Sequence, residues 1–527
     1  MLTALNGSTL PRAKALPLAA LAGAATVAGF APLSVFPVPL ITLALLIVLW
    51  RRVPSRRDAA LVGFAFGLGY FLIGVSWVYI SLHDFGAMPA PLAGTLTLIF
   101  CVYLAAFPAI TGWTYHALGT RSLPVTLAAL PALWTLTEWL RGLLFPWIAL
   151  GYAQVPTSPL AGYVPLVGIY GVSFATVLNA GLIVILCTHW KDESARMKAE
   201  NKSRTRFLSL IFHPSSLFLV SLWAGGFALA QIDWTHPDGK PVAVSLLQGN
   251  VPQEMKWRED TVRATLIAYR SLVAASNARL IILPETALPL FVHDVPQDYL
   301  DGLAAHVRGN QGDVLIGVPE RGNVRDYYNS VLSFGTAPTQ TYRKSHLVPF
   351  GEFVPLKPLF GWFLDVAQIP LLDFARGAET QQPLEVAGQK VAVNICYEDA
   401  FGAEIIRQLP QATLLANVSN VAWFGRSIAP QQHLQISQAR ALETGRYMLR
   451  ATNTGMTAII DQRGKVLQAA PEFTTAVVNG DVQGYAGATP YVRWGDFPIL
   501  ALALTLALLG GWLGLREAGN IRELPIR

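Results

Sequence analysis

The sequence predicts an α-helical membrane bundle of many spans joined to a single α/β sandwich domain. Three observations predict it. The chain of 527 residues is 53% hydrophobic and only 14% charged, with a mean hydropathy of +0.41, whereas an ordinary soluble domain is about a quarter charged. The dryness is uneven: apolar runs fill the chain to about residue 230, ordinary soluble composition follows from 241 to 485, and one more apolar run precedes the tail. Within the polar stretch, short apolar strands alternate with amphipathic helical segments, the pattern of an α/β domain.

A membrane helix needs roughly 20 apolar residues. Seven runs before the polar region qualify, at 13–29, 32–50, 59–80, 89–112, 124–144, 160–188 and 207–230, and an eighth lies at 497–515. The first run, rich in Ala and Gly, reads either as a retained helix or as a signal peptide flanked by Arg12 and Lys14. The retained helix is favoured, because "PLSVFPVPLITLALLIVLW" leads straight into the second run with no polar mature start. The expected division is a seven-span bundle over 1–235, a soluble domain over 236–490, and a last helix with its tail over 491–527.

Loop charges orient this bundle. "RRVPSRRD" (51–58) and "KDESARMKAENKSRTR" (191–206) are the basic loops; eight spans put both on one side, which the positive-inside rule makes cytoplasmic. Both termini are then inside and the soluble domain outside, which in a bacterium with two membranes is the periplasm. The net charge of +6 and pI of 9.1 come with no nucleic-acid motif, so the basic residues set orientation and no nucleic-acid partner is expected. Three cysteines, with Cys101 and Cys187 inside apolar runs, make no disulfide framework. Trp77, His83 and Asp84 in "GVSWVYISLHDFG", and Glu138 and Arg141 in "TEWLRG", are unusual at membrane depth. They read either as interfacial anchors with one i,i+3 ion pair or as lipid- or substrate-facing groups. "FPWIALGYAQ" (145–154) falls on the outer side.

In the polar region, strands are predicted at 242–250, 280–286, 313–320, 328–335, 390–399 and 412–420, helices at 259–276 and 430–449, and a hairpin over 457–468 turning at Arg463-Gly464. Functional side chains in such sheets gather where strands give way to loops. Three ends stand out: Glu285 in "IILPETALP", Lys344 in "TYRKSHLVPFGEFVP" and Cys396 in "VAVNICYEDA". A carboxylate, an ammonium and a thiol form a workable set. Glu285 takes the thiol proton as general base. Lys344 lowers the thiol pKa and holds a tetrahedral oxyanion. The Tyr397 N–H is a second oxyanion donor, and Glu352, eight residues past Lys344, keeps the lysine charged and aimed. Each residue alone also has an ordinary reading: a small buried thiol, a helix-start carboxylate, a solvated lysine.

Together these segments resemble the nitrilase superfamily, whose Glu–Lys–Cys triad sits on an αββα sandwich. The membrane frame narrows the likeness: seven spans before and one after resemble the apolipoprotein N-acyltransferase family, its membrane-embedded branch. "GFAPLS", "GVSWVY", "LLQGNVPQEMKW", "HLVPFGEFVP", "AWFGRSIAPQQHLQ" and "RALETGRYMLRATNTGMTAIID" carry it in order. The resemblance implies a bacterial inner-membrane acyltransferase. Cys396 takes an acyl chain from a phospholipid as a thioester, and the α-amine of a diacylglyceryl-modified N-terminal cysteine of an apolipoprotein then attacks it. Cys396 is then the nucleophile, Glu285 the base and Lys344 the oxyanion stabiliser. Glu352 is the matching second glutamate, Tyr397 and Glu398 follow the nucleophile, and Trp257 lies near the acyl or lipoprotein site. It implies no metal or dissociable cofactor, and a monomer is expected.

The apolar loop "PLKPLFGWFLDVAQIPLLDF" (355–374) reads either as a lid or lipid contact or as a loop packed on its own domain. Val421 stands where the family pattern leads one to expect an aspartate, and Thr454 stands in place of the second residue of an Asn-Asn pair. A membrane-tethered amidase for small amides is the rival enzyme, and a transport bundle with a degenerate sensing domain is the non-enzymatic rival.

Overall fold

The computed structural model describes residues 9–120, 122–200, 213–253, 256, 258–322, 326–353 and 374–522. Trp257 and all but the last residue of the loop 355–374 lie outside these, as do 201–206 of the second basic loop. The chain divides into two compact units, one drawing on residues up to Ser76, Gly94–Ile232 and Asp496 onward, the other on Trp77–Ala93 and Asp233–Gly495.

The first unit is helical. Its main helices are Arg12–Thr26, Pro37–Arg52, Arg56–Gly74, Ala90–Leu118, Leu130–Gly142, Val164–Glu200, Pro214–Leu229 and Phe497–Arg522. Among the described residues four stretches are long and apolar enough to cross a membrane: Arg56–Gly74, Ala90–Leu118, Pro159–Ser194 and Phe497–Gly514. The others are short for a bilayer. Arg12–Thr26 has 15 residues and Leu130–Gly142 has 13, about 20 Å at 1.5 Å per residue against a hydrocarbon core of about 30 Å. Small residues bring the helices together. A Cβ on Gly23 would collide with the Phe66 carbonyl, and one on Gly69 with the Ala20 carbonyl, so Arg12–Thr26 and Arg56–Gly74 meet backbone to backbone.

Glu138 and Arg141 are both buried in this unit. They form a loose i,i+3 pair at 4.0 Å. Their better contacts are to backbone. Arg141 Nη1 donates to the carbonyls of Phe145 at 2.9 Å and Trp147 at 2.8 Å, and Glu138 Oε1 accepts from Leu150 N at 3.0 Å. They knit the turn 145–150 to the helix that precedes it.

The second unit is built on two six-stranded sheets. The first runs in the order β12-β1-β2-β3-β4-β5, with β1 His236–Gln248, β2 Leu280–Ile282, β3 Asp313–Arg321, β4 Tyr327–Gly335, β5 Thr341–Arg343 and β12 Ala476–Ala486. The second runs β11-β10-β9-β8-β7-β6, with β6 Leu384–Val386, β7 Gln389–Ile395, β8 Leu414–Ser419, β9 Met448–Thr452, β10 Ala458–Ile460 and β11 Val466–Ala469. Each sheet has a parallel centre, β1-β2-β3 in one and β7-β8-β9 in the other, with antiparallel flanks.

Inward-facing Val244, Leu280, Leu315, Val393, Ala416 and Leu449 share one core between the sheets. Helices Glu259–Ala274 and Gln297–Gly309 cover the outside of the first sheet through Tyr269, Val273, Leu300 and Leu303. Helix Ala429–Thr444 covers the second through Leu434 and Ala441. The layers are therefore helix, sheet, sheet, helix.

Three sequence-based boundaries shift, each for a local reason. The helix expected over 430–449 stops at Thr444, because Gly445 takes φ +63° as its C-cap, and Met448–Thr452 becomes a strand. The strand expected over 280–286 stops at Ile282: Pro284 has no N–H to give, and Thr286 takes φ +49°. The strand expected over 390–399 stops at Ile395, because Cys396 itself takes φ +54°.

Residues 77–93 fold with the α/β unit. Trp77 Nε1 donates to Gln432 Oε1 at 3.2 Å, and its ring meets Phe424 edge-on at 4.6 Å between centroids. Phe85 meets Trp423 in the same way. His83 Nδ1 lies 2.8 Å from the Met88 carbonyl, and Asp84 is exposed.

Candidate active site

Both sheets contribute to one buried cluster. Cys396 immediately follows β7 and opens the 3₁₀ turn Cys396–Ala400. Its φ of +54° is the left-handed region, which a non-glycine residue adopts only when its surroundings impose it. The surroundings here are two carbonyl contacts. Asn417 Nδ2 donates to the Cys396 carbonyl at 3.1 Å, and His433 Nε2 approaches it at 3.3 Å.

Glu285 follows β2 through Leu283 and Pro284. Its carboxylate is held on three sides. Asn329 Nδ2, from β4, donates to Oε1 at 2.7 Å. The Asn420 backbone N–H, at the end of β8 in the other sheet, donates to Oε2 at 2.7 Å. Lys344 Nζ lies 3.8 Å from Oε1. Lys344 follows β5 directly and is 1% exposed; Glu352 Oε1 accepts from its Nζ at 2.8 Å. Glu352 is fixed in turn by Val348 N at 2.8 Å on Oε2. The Phe374 N–H, at the far end of the 355–374 loop, donates to the Glu352 backbone carbonyl at 3.0 Å.

Electrostatics decides the resting protonation states. Burial would lower the Lys344 pKa, but Glu352, Glu285 and Cys396 outweigh it and hold the ammonium above the usual lysine range. Burial pushes the Cys396 thiol up to about 12, the Glu285 carboxylate adds to the rise, and Lys344 and the Ser419 hydroxyl only partly oppose it. The expected lowering of the thiol pKa by Lys344 is thus present but outweighed. The resting pair is a neutral thiol beside a charged lysine, so the thiol needs a base to take its proton as it attacks.

The residues after Cys396 brace it. Glu398 is buried and accepts from Ile395 N at 2.7 Å, Ser345 N at 2.7 Å, His346 N at 3.0 Å and Tyr342 OH at 2.9 Å. It thereby ties the Cys396 turn to the segment carrying Lys344. Tyr397 packs edge-on against Phe401 and stands near His346. Val421, in place of the expected acid, is buried against Gly455. Thr454 is buried as well.

Two groups beyond the sequence reading complete the site. Lys256 is 2% exposed, and its Nζ donates to the Glu285 carbonyl at 3.3 Å. Asp399 is fully buried and gathers His433 Nε2 at 2.7 Å, Ser437 Oγ at 2.5 Å and Arg450 Nη1 at 3.3 Å. Both were legible only as charged residues beside flagged ones, Trp257 and Cys396; nothing in their spacing announced burial. Among the described residues no group of three or more His, Cys, Asp or Glu could hold a metal.

A thiol at a strand end, a carboxylate base and a buried ammonium, on paired sheets flanked by helices, define a carbon–nitrogen hydrolase type of domain. The carbon–nitrogen hydrolase family model matches residues 243–491, and the model for the apolipoprotein N-acyltransferase N-terminal domain matches residues 22–182. Curated relatives align along nearly the whole chain. The apolipoprotein N-acyltransferase of Nitrosomonas europaea is 55% identical over 93% of this chain and 95% of its own length. Those of Chromobacterium violaceum and Ralstonia nicotianae are each 44% identical, over 94% and 96% of this chain and 93% and 94% of their own. The chain belongs to the apolipoprotein N-acyltransferase family.

Proposed function

We propose that this protein transfers a fatty acyl chain from a phospholipid, through a thioester on Cys396, to the α-amine of the diacylglyceryl-cysteine that begins an apolipoprotein. In the first half-reaction Glu285 takes the Cys396 proton as the sulfur attacks the ester carbonyl. Lys344 stabilises the oxyanion, with the Tyr397 N–H as the second donor. Glu285 then returns the proton to the departing lysophospholipid oxygen. In the second, the amine attacks the thioester, its proton passes through Glu285 to the sulfur, and the amide leaves. Glu352 holds Lys344, Glu398 braces the elbow, and Trp257 lies on the acyl or lipoprotein side.

The observation that carries this reading is Lys344, buried, bonded to Glu352 and 3.8 Å from Glu285, beside a proposed nucleophile whose backbone is already turned out of its strand. The setting is a bacterial inner membrane. Eight spans over 1–235 and 491–527 place both termini in the cytoplasm and the 236–490 domain in the periplasm, and the protein works as a monomer.

Intact mass spectrometry of the purified protein with phospholipid alone tests this. A hydroxylamine-labile acyl adduct is expected on the wild type, with no thioester on Cys396→Ser. Absence of the adduct, with turnover of small amides instead, moves the assignment to a tethered amidase.

A further inference from the structure

Lys256 has no part in the proton transfers above, yet it is buried at the base's own backbone. Its own backbone N–H donates to the Gln253 carbonyl at 3.3 Å. Gln253 and Val251 are tied to the second sheet by Asn420 Nδ2, which donates to Gln253 Oε1 at 2.6 Å, and by Asn453, which exchanges bonds with Val251 N at 3.0 Å and Val251 O at 2.8 Å. Asn420 is the residue whose backbone N–H also holds the Glu285 carboxylate. The two ends of Glu285 therefore have separate holders. Asn420, Asn329 and Lys344 fix the carboxylate, and Lys256 fixes the carbonyl, one residue before Thr286 at φ +49°. Among the described residues no carboxylate oxygen lies within ion-pair distance of Lys256 Nζ. At longer range the Glu285 carboxylate favours its charge.

We propose that Lys256 is a positioning residue, whose ammonium clamps the Glu285 carbonyl and so keeps the catalytic carboxylate aimed for its work on Cys396. The proposal rests on the acyl-transfer reading above. Its chemistry gives it a signature. Burial lowers the Lys256 pKa to about 8, with Glu285 and Cys396 opposing the fall. A depressed lysine keeps its charge below that value and loses it as the pH rises through it, so the clamp opens on the alkaline side. The other groups facing the site do not mimic this. Cys396 is held up at about 12 and Lys344 above its usual range, both on the far side of that window. Asp399 and His433 are each held below their ordinary values. On Lys256's own segment, Arg258 and Asp260 are exposed and paired with each other.

The acylation half-reaction reads the clamp alone, because no acceptor amine is present to titrate. The rate of hydroxylamine-labile adduct formation is followed by intact mass from pH 6 to 10, for wild type, K256M and K256R, with a thermal melt of each in the same detergent. The wild-type rate should fall about tenfold per unit above pH about 8. K256M should be roughly tenfold to a hundredfold slower at pH 7, the usual cost of a misplaced catalytic group, and should lack the alkaline limb. K256R, charged throughout, should recover most of the rate and hold it to pH 9.5. A wild-type limb that K256M shares, or a K256R as slow as K256M with the limb unmoved, overturns the proposal. Should K256M fail to fold, the wild-type and K256R profiles still decide. A wild type that forms no adduct at any pH defeats the acyl-transfer reading, whereas an adduct formed with no alkaline limb defeats only the role of Lys256.

Discussion

Two buried carboxylates flank Cys396, and they are buried in opposite ways. Glu285, on one side, accepts from one side-chain amide and one backbone N–H, and its cationic neighbour stands off at 3.8 Å. Asp399, on the other, is fully buried and closed in by an imidazole, a hydroxyl and a guanidinium, with Arg450 also bonded to Asn417 Oδ1 at 2.6 Å and Ser437 Oγ at 3.0 Å. Burial and Arg450 lower the His433 pKa, so its ring is neutral. Its Nε2 faces two acceptors, Asp399 Oδ1 and the Cys396 carbonyl, and must therefore carry the proton. The Asp399 cluster cannot take a proton without breaking. It grips the Cys396 backbone, while the looser Glu285 cluster is the one proposed to act on its sulfur. Burial alone does not separate a catalytic acid from a structural one; the freedom left to its oxygens does.

Substitutions on the two sides should pull the two properties apart. Glu285→Gln should lower acylation by about a thousandfold, in line with losing a general base, a loss far larger than its effect on stability; equal activity would place the base elsewhere. Asp399→Asn should reverse the pattern, costing about 3 kcal/mol of stability because Arg450 is left buried without its counter-charge, with a smaller loss of acylation rate. The pH dependence of that stability has a definite sign. Burial would raise the Asp399 pKa, but His433, Arg450 and Ser437 together hold it below the usual carboxylate range. Its contribution is therefore present above about pH 4 and is lost as the pH falls through the folded value. Melts of wild type and Asp399→Asn should converge at low pH. Glu398→Gln should cost about 2 kcal/mol, since its amide turns a donor toward the N–H groups of Ser345, His346 and Ile395. Trp77→Phe, which keeps the ring but removes the bond to Gln432, should cost about 1 kcal/mol. A loss of activity larger than its loss of stability would mean that segment 77–93 touches substrate.

The strand ends were the legible part of the site. Glu285 and Cys396 each follow an apolar strand, Lys344 lies a short way past the apolar β4, and the structure brings Glu285 and Lys344 to 3.8 Å with Cys396 in their field. Lys256 was not legible, because "PQEMKWRED" is polar chain in which a lysine reads as solvated; its burial and that of Gln253 depend on contacts such as the one Gln253 makes to Asn420, far along the chain. Asp399 was visible in "YED", but its partners His433 and Arg450 come from a helix and a strand far along the chain. The short strands β5, β6 and β9 and the polar β12 carry too little apolar alternation to announce themselves. In the helical unit the apolar runs pointed to helices, yet composition does not fix where a helix ends, and several stop short of a bilayer's thickness.

The bond from the Asn420 N–H to Glu285 joins residues 135 apart in the chain, and it has a consequence for how the protein comes into being. Synthesis delivers the first sheet's base and ammonium early, the thiol much later and the amide that secures the base later still. Domains fold as units as they emerge, so the base is fully held only when the second sheet closes on the first. A chain whose proposed donor is the very lipid around it would then lack a fully held base until its second sheet has closed.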